Sequence, residues 1–342
     1  MRWIVACLIV ASLFRSWAIP AERLSPERAL RMMVDSERRV DFIGRRIVVD
    51  FEGGYAFVRE ERVINKAPDG HRVEVLLPPE MAGLTVVRAG DKRWHLPPRH
   101  RGRPPFLPPP GPGRMDPSLI VENYSLRIGG WDLIAGRKAF LLEIKPKWEG
   151  RPSAKVWIDS ETFLPLRIER YGPGGDLASL LVYISIDLSP EIDRKLFVPP
   201  PGALEAPGPP KRGLSVEEFE EELGFRPVLP RYLPPGFRFI GAGLVGPPDG
   251  KALHLRYTDG LVLLSLFESK SETHRRTGRR GRKGFHRPEW SRTEIKGVPV
   301  DMRRTRHLLI LRWGSKGLSF TLIGDLGEDE MRKVAESLIE AR

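Results

Sequence analysis

The sequence predicts an α+β protein made mainly of antiparallel β-strands and organised in two domains. The clearest signal lies in residues 154–171, AKVWIDSETFLPLRIERY, where apolar and polar side chains alternate on both sides of a short polar turn. This period of two is expected for paired strands with one face against an apolar interior. Similar runs at 138–144 and 177–188 flank it, so the pattern predicts a meander of three or four strands.

Length and composition indicate where the domains divide. A chain of 342 residues with 41% hydrophobic content is long enough for two cores of ordinary size. The segment 199–213 is rich in proline and glycine, which is typical of an interdomain linker and makes it the expected hinge. We therefore predict a signal peptide at 1–21, a first domain at 22–198 and a second domain at 214–342.

Local signals predict the order of elements. Ser25-Pro26-Glu27 begins a helix, because it combines a capping hydroxyl, a proline at the first helical position and an acid at the positive end of the dipole. In the second domain we expect a short acidic helix, up to six strands and a closing helix with one apolar face. The strands expected before the meander lie at 42–51, 55–66, 71–77, 85–88 and 92–96.

Two segments interrupt the strand pattern. Residues 97–117 are proline-rich and are expected to form a long loop, with a peptide-recognition ligand as the alternative. Residues 274–287, HRRTGRRGRKGFHR, hold seven Arg or Lys. This run is either a solvated loop or a contact for an anionic partner. The candidate residues for that contact are Arg275, Arg276, Arg279, Arg280, Arg282 and Lys283.

The beginning of the sequence predicts export. Met1 and Arg2 precede a mostly apolar run at 3–14 and small residues at 16 and 18, as in a cleaved signal peptide. An uncleaved anchor is the alternative, although the run is short for a membrane span. The one cysteine, Cys7, lies in this leader, so the mature chain is expected to contain no thiol or disulfide. Outside the cytoplasm, the net charge of +12 favours anionic lipid, envelope polysaccharide or an acidic protein over nucleic acid.

Motifs for catalysis are missing from the sequence. Residues 241–246 match the letters of a dinucleotide fingerprint, but Pro247 and Pro248 follow directly, so no helix can begin there to hold a pyrophosphate. The seven histidines have no metal-binding spacing, and no GxSxG motif presents a serine. We therefore predict a binding protein rather than an enzyme, with no cofactor and no metal.

Three segments carry a family resemblance. They are 124–147, with GWDLIAGRKAFLLEIKPK, 156–171, with W-I-D-x-x-T-x-L-P-L-R, and 256–267, with Y-x-D-G-L. Together they resemble the RseB/MucB family of secreted regulators of envelope-stress sigma factors, whose first module is similar to the lipoprotein carriers LolA and LppX. The resemblance implies a curved antiparallel half-barrel that wraps helices around an apolar cavity for acyl chains. It also implies a smaller second domain that helps to hold the periplasmic part of an anti-sigma factor.

We therefore predict a periplasmic or otherwise exported, non-enzymatic regulator that binds a lipid or lipidated ligand and an anti-sigma factor, whose proteolysis it modulates. A LolA-type carrier of lipoproteins or lipids is the alternative, and a binder of the anionic membrane or envelope surface is a third reading. Apolar members of the alternating strands are the candidate cavity residues, unless they fill a closed core. They are Phe42, Val49, Phe57, Trp94, Val156, Ile158, Leu166, Ile168 and Tyr183.

Overall fold

The computed structural model describes residues 24–52, 55–97, 115–199, 203–205, 216–246, 250–271, 290–305 and 308–341. Two antiparallel sheets of different size form the fold, and a few helices pack on them. The predicted class is confirmed, a large open sheet followed by a smaller sheet domain. The predicted signal peptide, the six basic candidate residues and most of the proline-rich loop and linker lie outside the described residues.

The first sheet contains eleven strands, and nearly all of them pair with their neighbours in sequence. Two meanders of five strands each meet where residues 42–52 pair with residues 177–187. The strands are β1 (Phe42–Glu52), β2 (Tyr55–Lys66), β3 (Gly70–Leu77), β4 (Thr85–Ala89), β5 (Lys92–Leu96), β6 (Tyr124–Ile134), β7 (Arg137–Pro146), β8 (Ser153–Asp159), β9 (Pro165–Tyr171), β10 (Leu177–Asp187) and β11 (Leu204–Glu205). The predicted meander around residues 154–171 is therefore part of the observed sheet.

Two helices cover one face of this sheet, which we call the helix-side face. The first, α1 (Pro26–Val34), begins as predicted, with the Ser25 side chain accepting a hydrogen bond from the Arg28 backbone N–H. The second, α2 (Pro117–Asn123), was not predicted from the sequence and is capped by Asp116. Apolar residues of both helices pack with β7 and β8 in one buried cluster. None of the helices in the described part has the length and apolar composition needed to cross a bilayer.

A buried aspartate fixes the turn between β8 and β9. The Oδ1 atom of Asp159 accepts hydrogen bonds of 2.8 Å from both the backbone N–H and the hydroxyl of Thr162. Its Oδ2 atom accepts from Nε of Arg137 on β7 at 2.5 Å. The aspartate and threonine of the D-x-x-T segment therefore shape this hairpin and connect it to the neighbouring strand.

The second sheet contains seven strands, namely β12 (Arg238–Val245), β13 (Ala252–Thr258), β14 (Leu263–Lys270), β15 (Ser291–Ile295), β16 (Val298–Thr305), β17 (Leu308–Ser315) and β18 (Leu318–Gly324). Their order in the sheet is β12-β13-β14-β18-β17-β16-β15. Helices α3 (Val216–Leu223) and α4 (Glu328–Ile339) add Phe219, Leu223 and Met331 to the core on one side of this sheet. The sequence analysis missed β12, because its glycines were tested only as a nucleotide-binding motif.

Part of the predicted linker belongs to the first sheet. Strand β11, Leu204–Glu205, pairs with β5, so that Leu204 lies opposite His95 and Glu205 opposite Trp94. The domain limits at 198 and 214 stay predictions.

A glycine on β1 leaves room for a predicted cavity residue. A Cβ atom on Gly44 would lie 2.7 Å from Cε1 of the buried Tyr183. We expect Gly44→Ala to lower the free energy of unfolding by about 1–3 kcal/mol, because overpacking forces neighbours to move. The control is Gly130→Ala, where a Cβ atom would meet nothing within 4 Å. Urea unfolding of both variants measures the difference, and equal stabilities would contradict the expected clash.

Candidate functional site

The nine predicted cavity residues do not share one surface. Val49 and Trp94 lie on the face opposite the helices. Side chains alternate between the two faces along a strand, so Val49, an odd number of residues from Phe42 on β1, points away from the helix-side face. Trp94 packs in the cluster of Ile64, which lies on that opposite face. Phe57 is 50% exposed, opposite Asp50 at the open end of β2. The structure brings the other six together in apolar clusters on the helix-side face, namely Phe42, Val156, Ile158, Leu166, Ile168 and Tyr183.

These six residues are closely packed. Val156, Ile158 and Leu166 are each 0% exposed, and burial raises the pKa of Tyr183 to about 12. Val156 and Ile158 lie in the cluster to which α1 contributes Leu30. Entry of an acyl chain would require these side chains to move, and the ligand cavity stays a prediction.

Beyond Tyr183, the helix-side face changes from apolar to ionic. Nε of Arg46 and Nε of Arg59 both donate to Glu61 at 2.7 Å, and Nη1 of Arg59 donates to Asp50 at 2.5 Å. Burial alone would raise the pKa of Glu61, but the two arginines lower it below its ordinary value. The sequence analysis missed this network, although charged residues that share one face of each strand, Arg46 and Asp50 on β1 and Arg59 and Glu61 on β2, are a visible signal for it.

A buried ion pair joins the two domains. Arg151 precedes β8 in the first domain, Asp259 follows β13 in the second, and their side chains are 1% and 0% exposed. Nη1 of Arg151 donates to Oδ2 of Asp259 at 3.2 Å, and the hydroxyl of Tyr124 donates to the same oxygen at 2.8 Å. The Oδ1 atom accepts from the backbone N–H groups of Leu261 and Val262. Both carboxylate oxygens of Asp259 therefore have partners.

Two glycines allow the domains to approach this closely. Nδ2 of Asn123 donates to the carbonyl oxygens of Gly236 and Asp259 at 3.2 and 3.0 Å. Gly236 has a φ of 78°, and a Cβ atom there would fall 1.8 Å from Oδ1 of Asn123. Gly260 has a φ of 103°, and a Cβ atom there would lie 2.7 Å from the backbone nitrogen of Ile120. Glycine is needed at both positions for its conformation and for its lack of a side chain.

Further contacts surround the ion pair. Arg238 donates to both carboxylate oxygens of Glu122 at 2.9 and 2.7 Å, and the Gly327 N–H donates to the Gly150 carbonyl at 2.8 Å. Asp325 lies 3.6 Å from Arg170, and burial raises its pKa to about 6. We call these groups, together with Asn123, Tyr124, Arg151, Asp259 and Gly260, the interdomain junction. A hinge motion about the linker would have to separate them.

An open depression of about 420 Å³ lies beside the interdomain junction. It is lined by Pro146, Lys147, Trp148, Glu149, Gly150, Arg151 and Pro173. Trp148 is 45% exposed, and the Arg151 guanidinium lies 5.9 Å from its ring centre. A second depression of about 340 Å³ lies where Phe197 packs near β3 and β4. None of the nine predicted cavity residues lines either depression.

The second core contains a buried carboxyl group with a raised pKa. Glu268 on β14 is 0% exposed, and its Oε2 atom accepts a 2.9 Å hydrogen bond from the Val228 N–H. Its Oε1 atom has no partner among the described residues. Burial raises the pKa of Glu268 to about 7. Within the described ranges, no three His, Cys, Asp or Glu side chains are grouped so as to hold a metal ion.

Comparison with known proteins gives sequence relatives for part of the chain. A family model described as the MucB/RseB N-terminal domain matches residues 110–201. The sigma factor AlgU regulatory protein MucB of Pseudomonas aeruginosa is 26% identical over 158 residues, which are 45% of this chain and 46% of MucB. The uncharacterized protein MJ0687 of Methanocaldococcus jannaschii is 25% identical over 229 residues, 65% of this chain and 64% of that protein. The chain thus spans less than two thirds of the length of both relatives.

Solved structures extend the likeness in fold to nearly the whole chain. The crystal structure of MucB in complex with MucA(peri) has a TM-score of 0.60 at 18% identity and covers 92% of this chain and 98% of that one. The crystal structure of MucB alone has a TM-score of 0.56 at 17% identity, with 91% and 96% covered. Fold and junction define a two-domain protein in which a large antiparallel sheet is fixed to a smaller one. The sequence matches support the predicted resemblance to the MucB/RseB family, with the family model matching residues 110–201.

Removing the negative charge at the interdomain junction tests its contribution to stability. We expect Asp259→Asn to lower the free energy of unfolding by about 3–5 kcal/mol, because the buried guanidinium of Arg151 loses its counter-charge. Calorimetry should then show separate transitions for the two domains. The control, Glu122→Gln, breaks the exposed pair with Arg238 and should change stability by less than about 1 kcal/mol. Similar losses of unfolding free energy in both variants would show that the buried pair contributes no more to stability than the exposed pair.

The buried carboxyl of Glu268 should make stability depend on pH. Its pKa rises from 4.5 to about 7 on folding, so the folded chain holds the proton more tightly than the unfolded chain. The resulting stability is complete below pH 4.5 and is lost as the pH rises through about 7, by roughly 3 kcal/mol at most.

In Glu268→Gln this loss should be missing, so the variant gains stability relative to the parent between pH 5 and 8. Denaturant unfolding over that range measures the difference. His254, whose pKa is lowered to about 4, also makes stability depend on pH. This contribution is the same in the parent and the variant, so it cancels in their difference. A constant difference between parent and variant across the range would contradict the prediction.

Proposed function

We propose that this chain is an exported, non-enzymatic regulator that binds the periplasmic domain of an anti-sigma factor and controls its proteolysis. The supporting observation is the match of residues 110–201 to the MucB/RseB family model. The relative MucB is named a sigma factor regulatory protein, and it has been crystallised in complex with MucA(peri). The matched segment includes Asn123, Tyr124 and Arg151, which form the first domain's side of the interdomain junction.

The junction favours a regulator that acts as one rigid unit. A surface composed of both domains is maintained only if their orientation is fixed, and Arg151, Tyr124 and Asn123 fix it from one side. Such a surface is suited to covering a protein segment, since a preformed site loses less conformational entropy on binding. A partner covered in this way is protected from a protease.

The lipid or lipidated ligand of the first domain belongs to the same proposal. It rests on the resemblance and on the six predicted residues of the helix-side face. A ligand there could change partner binding only through its different affinity for two states of the protein. The tight packing around Ile158 and the ionic network at Glu61 mean that such a ligand would have to open this face.

Binding to the anti-sigma factor is tested with the mature full chain and the periplasmic domain of the anti-sigma factor from the same genome. We expect a complex in size-exclusion chromatography and at least tenfold slower cleavage of that domain by its protease. A folded chain that forms no complex and gives no protection would refute the proposal. A lipid carrier would instead move labelled acyl chains between vesicles without this partner.

A further inference from the structure

The second sheet has one face that its own helices leave uncovered. Side chains pointing to the other face, such as Leu255, Leu266 and Leu322, are at most 2% exposed and pack with α3 and α4. On the uncovered face, which we call the outer face, one row crosses five adjacent strands. Strand register gives it as Arg256, Ser265, Ile323, Ile310 and Arg303.

Both ends of this row are positively charged and lack a counter-charge. In the described part, neither Arg256 nor Arg303 has a carboxylate within 4.0 Å. Arg312 lies next to Arg303 and directly opposite Asp301, which forms its ion pair with Arg292. Burial lowers the pKa of Arg256 and of Arg312. Arg93 of the first sheet lowers the pKa of Arg256 further, and Arg303 lowers that of Arg312, which Asp301 raises. Arginines crowded by other arginines form a favourable site for a negatively charged partner.

Each end of the row also has a hydrogen-bond donor without an acceptor. Nε of Arg256 donates to Nδ1 of His254 at 3.2 Å, so the hydrogen of the neutral ring lies on Nε2. That atom is buried and has no partner among the described residues, and the same holds for Nε of Arg303. The ring of Trp290 adds an aromatic surface, with the Arg303 and Arg312 guanidiniums 5.7 and 4.7 Å from its centre.

The spacing of the two ends restricts what can bind. Arg256 and Arg303 are four strand spacings apart, about 19 Å. An extended polypeptide rises about 3.3 Å per residue, so this distance corresponds to about six residues. Between the ends lie Ser265 and the half-buried Ile323 and Ile310, which suit small or apolar side chains. The two ends therefore fit carboxylates about six residues apart.

We propose that the outer face of the second sheet docks an extended acidic segment of a protein partner, with a carboxylate at each end of the row and apolar side chains between them. Charge complementarity identifies the occupant. By sequence, the long stretches 98–114 and 272–289 each carry a net positive charge, which is the same sign as that of the row. The inference rests on the proposed function and names the surface that the anti-sigma factor would contact.

Fluorescence anisotropy of labelled peptides on the mature full chain tests this site. The probe is Glu-Gly-Ile-Gly-Ile-Gly-Glu, and its controls carry lysine at both ends or glutamates three residues apart. We expect only the probe to bind, with affinity that falls as salt rises. Arg256→Gln and Arg303→Gln should each weaken binding about fivefold, and together about 25-fold, because the sites are distant. The matched charge loss Lys333→Gln on α4 should have no effect, with circular dichroism confirming the fold.

Equal binding of all peptides, or of all variants, would overturn the inference. The inference would also be overturned if the chain bound anionic phosphatidylglycerol vesicles and did not bind the probe peptide. The anti-sigma domain separates this inference from the proposed function. If that domain binds every variant equally well, the proposed function stands and this site is wrong. If the probe binds with the expected variant pattern and that domain does not bind, the site stands and the proposed function is wrong.

Discussion

The orientation of the two sheets depends on one desolvated ion pair, Arg151 with Asp259. Removing two charges from water is unfavourable, and their attraction compensates only when the remaining hydrogen-bonding atoms are also satisfied. Here Tyr124 and two backbone N–H groups complete the shell of Asp259, while Nε of Arg151 is buried without a partner in the described part. Such a pair contributes little net stability compared with apolar packing, but any other domain orientation would leave a buried charge unpaired. Its effect is to select one arrangement.

That constraint separates the two sheets by role. In the first sheet, the helix-side face is filled by apolar packing around Ile158 and, beyond Tyr183, by the ions around Glu61. In the second sheet, both helices cover one face, and the row from Arg256 to Arg303 lies on the other face with no carboxylate within 4.0 Å of either arginine in the described part. The fold thus combines a packed first domain with a second domain whose charged face is available, at an orientation fixed by the junction.

Sequence reasoning worked best where the signal was local. The hairpin around Asp159 and the start of α1 at Ser25 depend on residues that lie close together in the chain, so alternation and capping chemistry were sufficient. Helix α2 was missed because a proline-rich segment precedes it. Only some of the nine candidate cavity residues lie on the helix-side face. Alternation shows which side chains of a strand share a face, but it does not show which of the two faces packs against the helices.

The sequence by itself determined the antiparallel class, the organising meander and the Y-x-D-G-L segment, because these follow from side chains within a few residues of each other. Only the tertiary structure decided what that segment does. Asp259 meets Arg151 and Tyr124, which are 108 and 135 residues away in sequence, and charges at such separations become neighbours only when both sheets have formed. The same holds for the outer face, where Arg256 and Arg303 reach one row through the pairing of five strands.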